Sequence, residues 1–282
     1  LALVSGGIGV LVLLCLFPAV AALIALLGFI SDPVVVIAQM EEMRGLLPTD
    51  VYDIIHQQVV SLVSTSSDQL GWAGIVSLLL ALWSARAGVG AMIIGLNSVY
   101  KEPNRNLAHH YFKALWLTLI LVVVGIVALL SLVVVPVLLA FFPLGGIGTF
   151  LVEVIRWVVA VGVILIGVGV LYRFGPNRVA ARVPWLSVGA VLATMTWLLL
   201  SIGFSYYVSN FGNYNQVYGS IGAVIAMLVW LWLSSFLVLF GAALNAQIEL
   251  RTKIDSTVGS PKPAGERGAY AADTFINADR TG

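Results

Sequence analysis

The residue in this sequence that asks most of its surroundings is Arg86. It stands inside Leu70 to Tyr100, an apolar run with no Asp or Glu between Asp68 and Glu102. As a helix this run would be about 45 Å long, against roughly 30 Å of bilayer hydrocarbon. A charge near the middle of a spanning helix costs from about 2.5 to over 10 kcal/mol, so the guanidinium is expected to face protein or water rather than lipid. Its planar, permanently charged fork suits phosphate or carboxylate. Asn97 falls on the same helix face, eleven residues on. A second polar stripe descends a later apolar segment, where Ser234, Gly241, Asn245 and Glu249 recur at spacings of seven, four and four. If the two faces meet across a cavity, Arg86 attracts an anion and Asn97, Ser234, Asn245 and Glu249 line its path. In the structural alternative, Arg86 reaches a backbone carbonyl beside Pro18 or Pro136, or snorkels to water, and locks the bundle.

Other chemistry is sparse. The three histidines are His56 and the adjacent His109 and His110; neighbours on a helix point about 100° apart and do not share a metal. Cys15 is the only cysteine, which excludes an internal disulfide and a thiol metal site. HExxH, GxSxG, P-loop and CxxC patterns are absent. No catalytic residue, metal or cofactor is expected, and the chain does not read as an enzyme. A ribonuclease would need a metal cluster or acid/base pair in water and a basic groove. A nucleic-acid partner is therefore not expected either.

The elements that must carry these residues follow from composition. Sixty per cent of residues are hydrophobic and ten per cent charged, and mean hydropathy is +1.04, whereas soluble domains carry about 25% charged residues. The fold class is all-α: a polytopic membrane protein with six transmembrane helices and two short extracytoplasmic surface helices, the bilayer its main partner. The spans are read at Ser5–Ile30, Leu70–Tyr100, His109–Phe142, Thr149–Tyr172, Trp185–Val208 and Tyr218–Gln247, with the surface helices within 33–66. Residues 1–250 form one membrane domain. Residues 251–282 lack an apolar period and read as a disordered cytoplasmic tail. Glu153 and Arg156, three residues apart inside the fourth span, are expected to neutralise one another. Between the fifth and sixth spans, Tyr206, Tyr207, Asn210, Asn213, Tyr214, Asn215 and Tyr218 read as interfacial anchors or as a polar outer mouth.

Orientation follows from the basic loops. Lys101, Arg105, Lys113, Arg173, Arg178, Arg182, Arg251 and Lys253 crowd three connections, while 31–69 hold Arg44 among six acids. Both termini are expected in the cytoplasm, which six spans satisfy. The chain opens at Leu1 rather than Met, so a trimmed preceding segment is expected. Ala87, Ala91 and Gly95 make a small-residue stripe that fits a contact within one bundle or between two chains, so the oligomeric state stays open.

The stretch from Tyr172 through Phe204, Ser205, Tyr206, Tyr207, Val208, Ser209, Asn210, Phe211, Gly212, Asn213, Tyr214 and Asn215, then Tyr218 to Ile225 and Leu244, Asn245 and Ala246, resembles the YihY/BrkB family of bacterial inner-membrane proteins. Leu16, Phe17 and Pro18, Trp83 and Ser84, and Leu96 to Lys101 look like the same family. The resemblance implies six spans with cytoplasmic ends. Members are described as virulence-associated or as candidate envelope exporters, and some carry a ribonuclease label. One departure is Ala243, where the family tends to have an acidic residue two positions before the motif asparagine, which counts against proton coupling there. The expected function is transport or export of an anionic envelope solute or lipid precursor, such as an anionic lipid or small anion. The alternative is a non-transporting scaffold for envelope assembly.

Overall fold

The structure, a computed structural model, describes residues 1–15, 67–140, 146–179, 187–210, 220–253 and 255–275. Among these the protein is all-helical, without strands: α1 (Ala2–Cys15), α2 (Ser67–Tyr100), α3 (Leu107–Ala140), α4 (Gly146–Phe174), α5 (Val188–Asn210), α6 (Ser220–Leu250) and the single turn α7 (Tyr270–Asp273). Five of them, α2 to α6, are long and apolar enough to cross a membrane, and α1 is the described part of the first expected span. In hydrocarbon every backbone N–H and C=O must be satisfied within its own segment, and a continuous helix does this. Accordingly α3 runs unbroken past Pro136. The surface helices expected within 33–66 and the 211–219 connection lie outside the described residues.

The helix ends are written in local chemistry. After Tyr100 the chain leaves α2 through Lys101, whose φ of 55° is left-handed, while Glu102 N–H donates to Asn97 O at 2.8 Å. Pro103 then bars any continuation. At the end of α4, Gly175 N–H closes on Leu171 O at 2.8 Å and Pro176 follows.

The chain forms two compact units, Leu11–Ala85 and a larger one made of Leu1–Val10 with Arg86–Gly282. In the first, the Cys15 thiol donates to Ala81 O at 3.6 Å. In the second, the most extensive pairings are α5 with α6 and α3 with α4. Ile93 of α2 joins Ala114, Leu117 and Val170 in a buried cluster. Gly95, from the small-residue stripe, lies beneath Leu239 and Val4, where a Cβ would come within 3.0 Å of Leu239. The outward faces are apolar: Leu107 is 75% and Phe112 76% exposed. Such faces belong in lipid, because water would penalise them.

α5 and α6 approach one another at glycines. A side chain at Gly189 would strike the Gly241 carbonyl, and one at Gly241 would strike the Gly189 carbonyl and, at 2.5 Å, the Tyr172 hydroxyl. Only glycine lets the two backbones meet.

Residues 255–275 fall within the expected tail. This stretch has no apolar period, but its carboxylates organise the backbone. Asp255 accepts from Thr257 N at 2.9 Å, Thr257 Oγ1 at 2.7 Å and Lys262 N at 2.9 Å. Asp273 accepts from the backbone N–H groups of Gly265, Arg267, Gly268 and Ala269. Ala269, Ala271 and Ala272 are buried, α7 packs against α6, and Val179 N–H donates to Gly268 O at 3.1 Å. Residues 276–282 lie outside the described residues.

Gly241→Ala is expected to destabilise the α5–α6 pair by about 1–3 kcal/mol through overpacking, read as a lower unfolding temperature in detergent. A second outcome concerns Asp255, whose hydrogen bonds from Thr257 and Lys262 hold its carboxyl at about 2 against an ordinary 3.8. A depressed carboxyl stabilises the folded form above its ordinary value and loses that contribution as pH falls through the folded one. Protection from hydrogen exchange over 255–268, relative to the unstructured rate at each pH, should therefore be retained at neutral pH and fall between about pH 4 and pH 2.

Candidate functional site

Four helix ends and the tail converge on one polar cluster in the larger unit. The end of α2 supplies Asn97 and Tyr100, and the connection after it supplies Glu102 and Asn104. The end of α4 and its loop supply Tyr172, Asn177 and Arg178. Ser187 and Gly189 come from the start of α5, and Asn245 and Glu249 from the end of α6.

At its centre Arg178 and Glu249 form a two-pronged ion pair. Nη1 donates to Oε2 and Nη2 to Oε1, each at 2.5 Å. The side chains are only 3% and 10% exposed. The Ser256 hydroxyl donates to Oε1 of the same carboxylate. The Arg178 guanidinium also lies over the Tyr100 ring, 5.2 Å from its centre. Burial works against the Arg178 charge, but the hydrogen bonds and charge of Glu249 outweigh it and hold the group above its ordinary range, helped by Tyr100 and Glu102. Burial also pushes the Glu102 carboxyl up, against the Tyr270 N–H it accepts at 2.7 Å and the Arg178 charge.

Amides complete the cluster. Asn97 is 1% exposed, donates to Asn104 Oδ1 at 2.9 Å and accepts from Asn177 N–H at 2.8 Å. Asn177 Nδ2 in turn donates to Pro103 O at 2.8 Å. Asn245 accepts from Gly189 N–H at 2.8 Å and donates to Ser187 Oγ at 2.9 Å. The Tyr172 hydroxyl donates to Val238 O at 2.6 Å. The cluster holds a charge pair away from water. Among the described residues no group of three His, Cys, Asp or Glu side chains is placed to bind a metal ion.

Of the residues singled out by spacing, Asn97, Asn245 and Glu249 gather here, linked through Asn177, Arg178 and Ser187. Ser234 does not: its Oγ accepts from Trp197 Nε1 at 2.9 Å on α5. The polar stripe of α6 therefore lies against α5 for most of its length. Arg86 is also elsewhere, its guanidinium 4.1 Å above the Tyr111 ring of α3. Arg156 lies 5.9 Å from the Trp157 ring; the side chain of its expected partner Glu153 lies outside what is described. Tyr206 and Tyr207 are exposed near the far end of α5. The Asn210 side chain, and Asn213, Tyr214, Asn215 and Tyr218, lie outside the described residues.

Spacing missed Arg178, Tyr100 and Asn177. A signal existed: Glu249 on an otherwise apolar helix needs a cation, and Arg178 stands in the basic loop that the orientation rule brings to the same side.

Apolar outward faces and a buried charged cluster at the helix ends define a polytopic helical membrane protein. The sequence matches the family described as Virulence factor BrkB over residues 1–266, and the chain belongs to that family. It is 32% identical over 255 residues, 86% of this chain and 88% of the relative, to YfkH of Bacillus subtilis (strain 168), provisionally named a ribonuclease-like protein. A UPF0761 membrane protein of Alteromonas mediterranea is 29% identical, covering 70% of this chain and 65% of its own. One from Pseudoalteromonas translucida is 27% identical, covering 86% and 80%. No solved structure matches the chain.

Arg178→Gln leaves the Glu249 carboxylate buried without its cation and is expected to cost about 3–5 kcal/mol of stability. The paired change Arg178→Gln with Glu249→Gln should recover most of that loss. Unfolding of the two single variants and the double variant in one detergent measures the coupling.

Proposed function

We propose that this protein moves an anionic envelope solute or lipid precursor across the bacterial cytoplasmic membrane, with both termini inside and the Arg178–Glu249 cluster at the inner face. The observation that carries the proposal is the burial of that ion pair at the end of an otherwise apolar bundle. A guanidinium whose two donors already grip a carboxylate is shaped to grip a phosphate or carboxylate of a passing solute. Asn97 and Asn245 flank it. Arg86, part-way along α2 and stacked on Tyr111, offers a second cation deeper in the membrane, and the exposed Tyr206 and Tyr207 mark the outer mouth. Lipid is the enclosing partner; no nucleic acid, cofactor or catalytic step is involved.

A second reading, a non-transporting scaffold for envelope assembly, is favoured by one observation. The amide groups of Asn97 and Asn245 are engaged within the protein at both their oxygen and their nitrogen. A cluster so well satisfied also serves as a latch.

Reconstitution into liposomes with labelled phosphate, carboxylate anions and anionic lipids separates the two. Transport predicts flux in the wild type, falling at least about ten-fold in Arg178→Gln or Arg86→Gln protein that remains monodisperse, an effect of about 1.4 kcal/mol or more. Arg86→Lys should recover part of it. No flux in the wild type, or full flux in every folded variant, leaves the scaffold.

A further inference from the structure

The opening turns of α3 carry His109, His110 and Lys113 within one turn and a half, directly after Arg105. Among the described residues neither Arg105 nor Lys113 forms an ion pair. Lys113 Nζ lies 5.0 Å from the Trp116 ring centre and 5.7 Å from that of Phe174, rings that meet edge to face. Arg105 donates to two neutral groups, Gly175 O at 2.9 Å and Pro176 O at 2.6 Å, so its charge is not cancelled. His110 is pressed against Gly90, where a Cβ would come within 3.1 Å of its Nε2, and His109 is exposed. Four described carboxylates of this half of the protein have partners of their own: Glu102 bonds Tyr270, Glu249 bonds Arg178, Asp255 bonds Thr257 and Lys262, and Asp273 bonds its own turn.

Beside Arg105 and Lys113 the face of α3 is apolar and exposed, through Phe112, Leu115, Trp116, Leu119 and Val123. A basic site at a helix start, set on an apolar stripe and edged by a tryptophan, has the two-part character of a phospholipid. A soluble anion would use the charge and leave the stripe without a role.

We propose that the start of α3 holds one anionic phospholipid, its phosphate on Lys113 within reach of the Arg105 charge and the His109 ring, and an acyl chain along Phe112, Leu115 and Leu119. Lysine serves here as a compact point charge for phosphate, and the aromatic faces of Trp116 and Phe174 hold its stem in place. The site is separate from the Arg178–Glu249 cluster, so its loss leaves the transport reading standing.

The test is native mass spectrometry of the delipidated full chain with phosphatidylglycerol or with phosphatidylcholine of the same acyl chains. The wild type should retain one phosphatidylglycerol in preference to phosphatidylcholine. Lys113→Gln should weaken that binding roughly five-fold, Lys113→Arg should largely restore it, and Lys262→Gln, the same charge change in the tail, should leave it unaltered. Equal retention of the two lipids by the wild type overturns the site. So does a Lys113→Gln protein that binds as the wild type does, or equal losses in Lys113→Gln and Lys262→Gln. Displacement of phosphatidylglycerol by free inorganic phosphate at matched concentration assigns the charge to a soluble anion and also overturns it. Where Lys113→Gln is not monodisperse, Phe112→Ser, which removes only the acyl contact, must lower retention for the site to stand.

Discussion

Two charges that the bilayer would reject are made tolerable by each other: Arg178 and Glu249, joined by both prongs and nearly sealed from solvent. Much of the architecture at that end answers to this pair. A buried carboxylate left with one partner would be a heavy liability, so Ser256 comes in from the tail and Tyr100 offers its ring to the other side. The loops after α2 and α4 are then positioned by neutral groups, the Asn97, Asn104 and Asn177 amides among them. Polar atoms that are costly singly become favourable as a closed network, because each supplies what its neighbour lacks.

Close approach of α5 and α6 has the same dependence. Asn245 can reach the backbone N–H of Gly189 because neither helix holds a side chain between the two axes. The glycines and the amide are one device: small residues bring the backbones together, and the amide fixes their register. Tyr172, on α4, adds its hydroxyl to Val238 O at the same level, so three helices share the junction.

How much of this could be read beforehand differs by element. The long helices were legible, since a run of twenty or more apolar residues has one stable form in hydrocarbon. Expected limits such as Leu70–Tyr100 and the observed Ser67–Tyr100 differ only where polar residues fray the end. The cluster was half legible. Helical spacing correctly set Asn245 and Glu249 on one face of α6, but spacing carries no information about which helix that face meets. Thus Ser234 found Trp197 rather than Asn97, and Arg86 found Tyr111. The Arg178–Glu249 contact joins residues 71 positions apart, beyond any local pattern. The hydrogen bonds within 255–275 were illegible for a different reason: they come from aspartates gathering backbone N–H groups, while composition alone resembles a linker.

The distance in sequence between Arg178 and Glu249 also sets an order of events. Ribosomes deliver the guanidinium before α5 and α6 exist, and its counterion arrives only with the final turn of α6. Between those moments the nascent protein carries an uncompensated cation at the mouth of an incomplete bundle, unable to bury it. Closure of this end therefore waits for α6, and a product cut short before Glu249 would leave Arg178 without this partner.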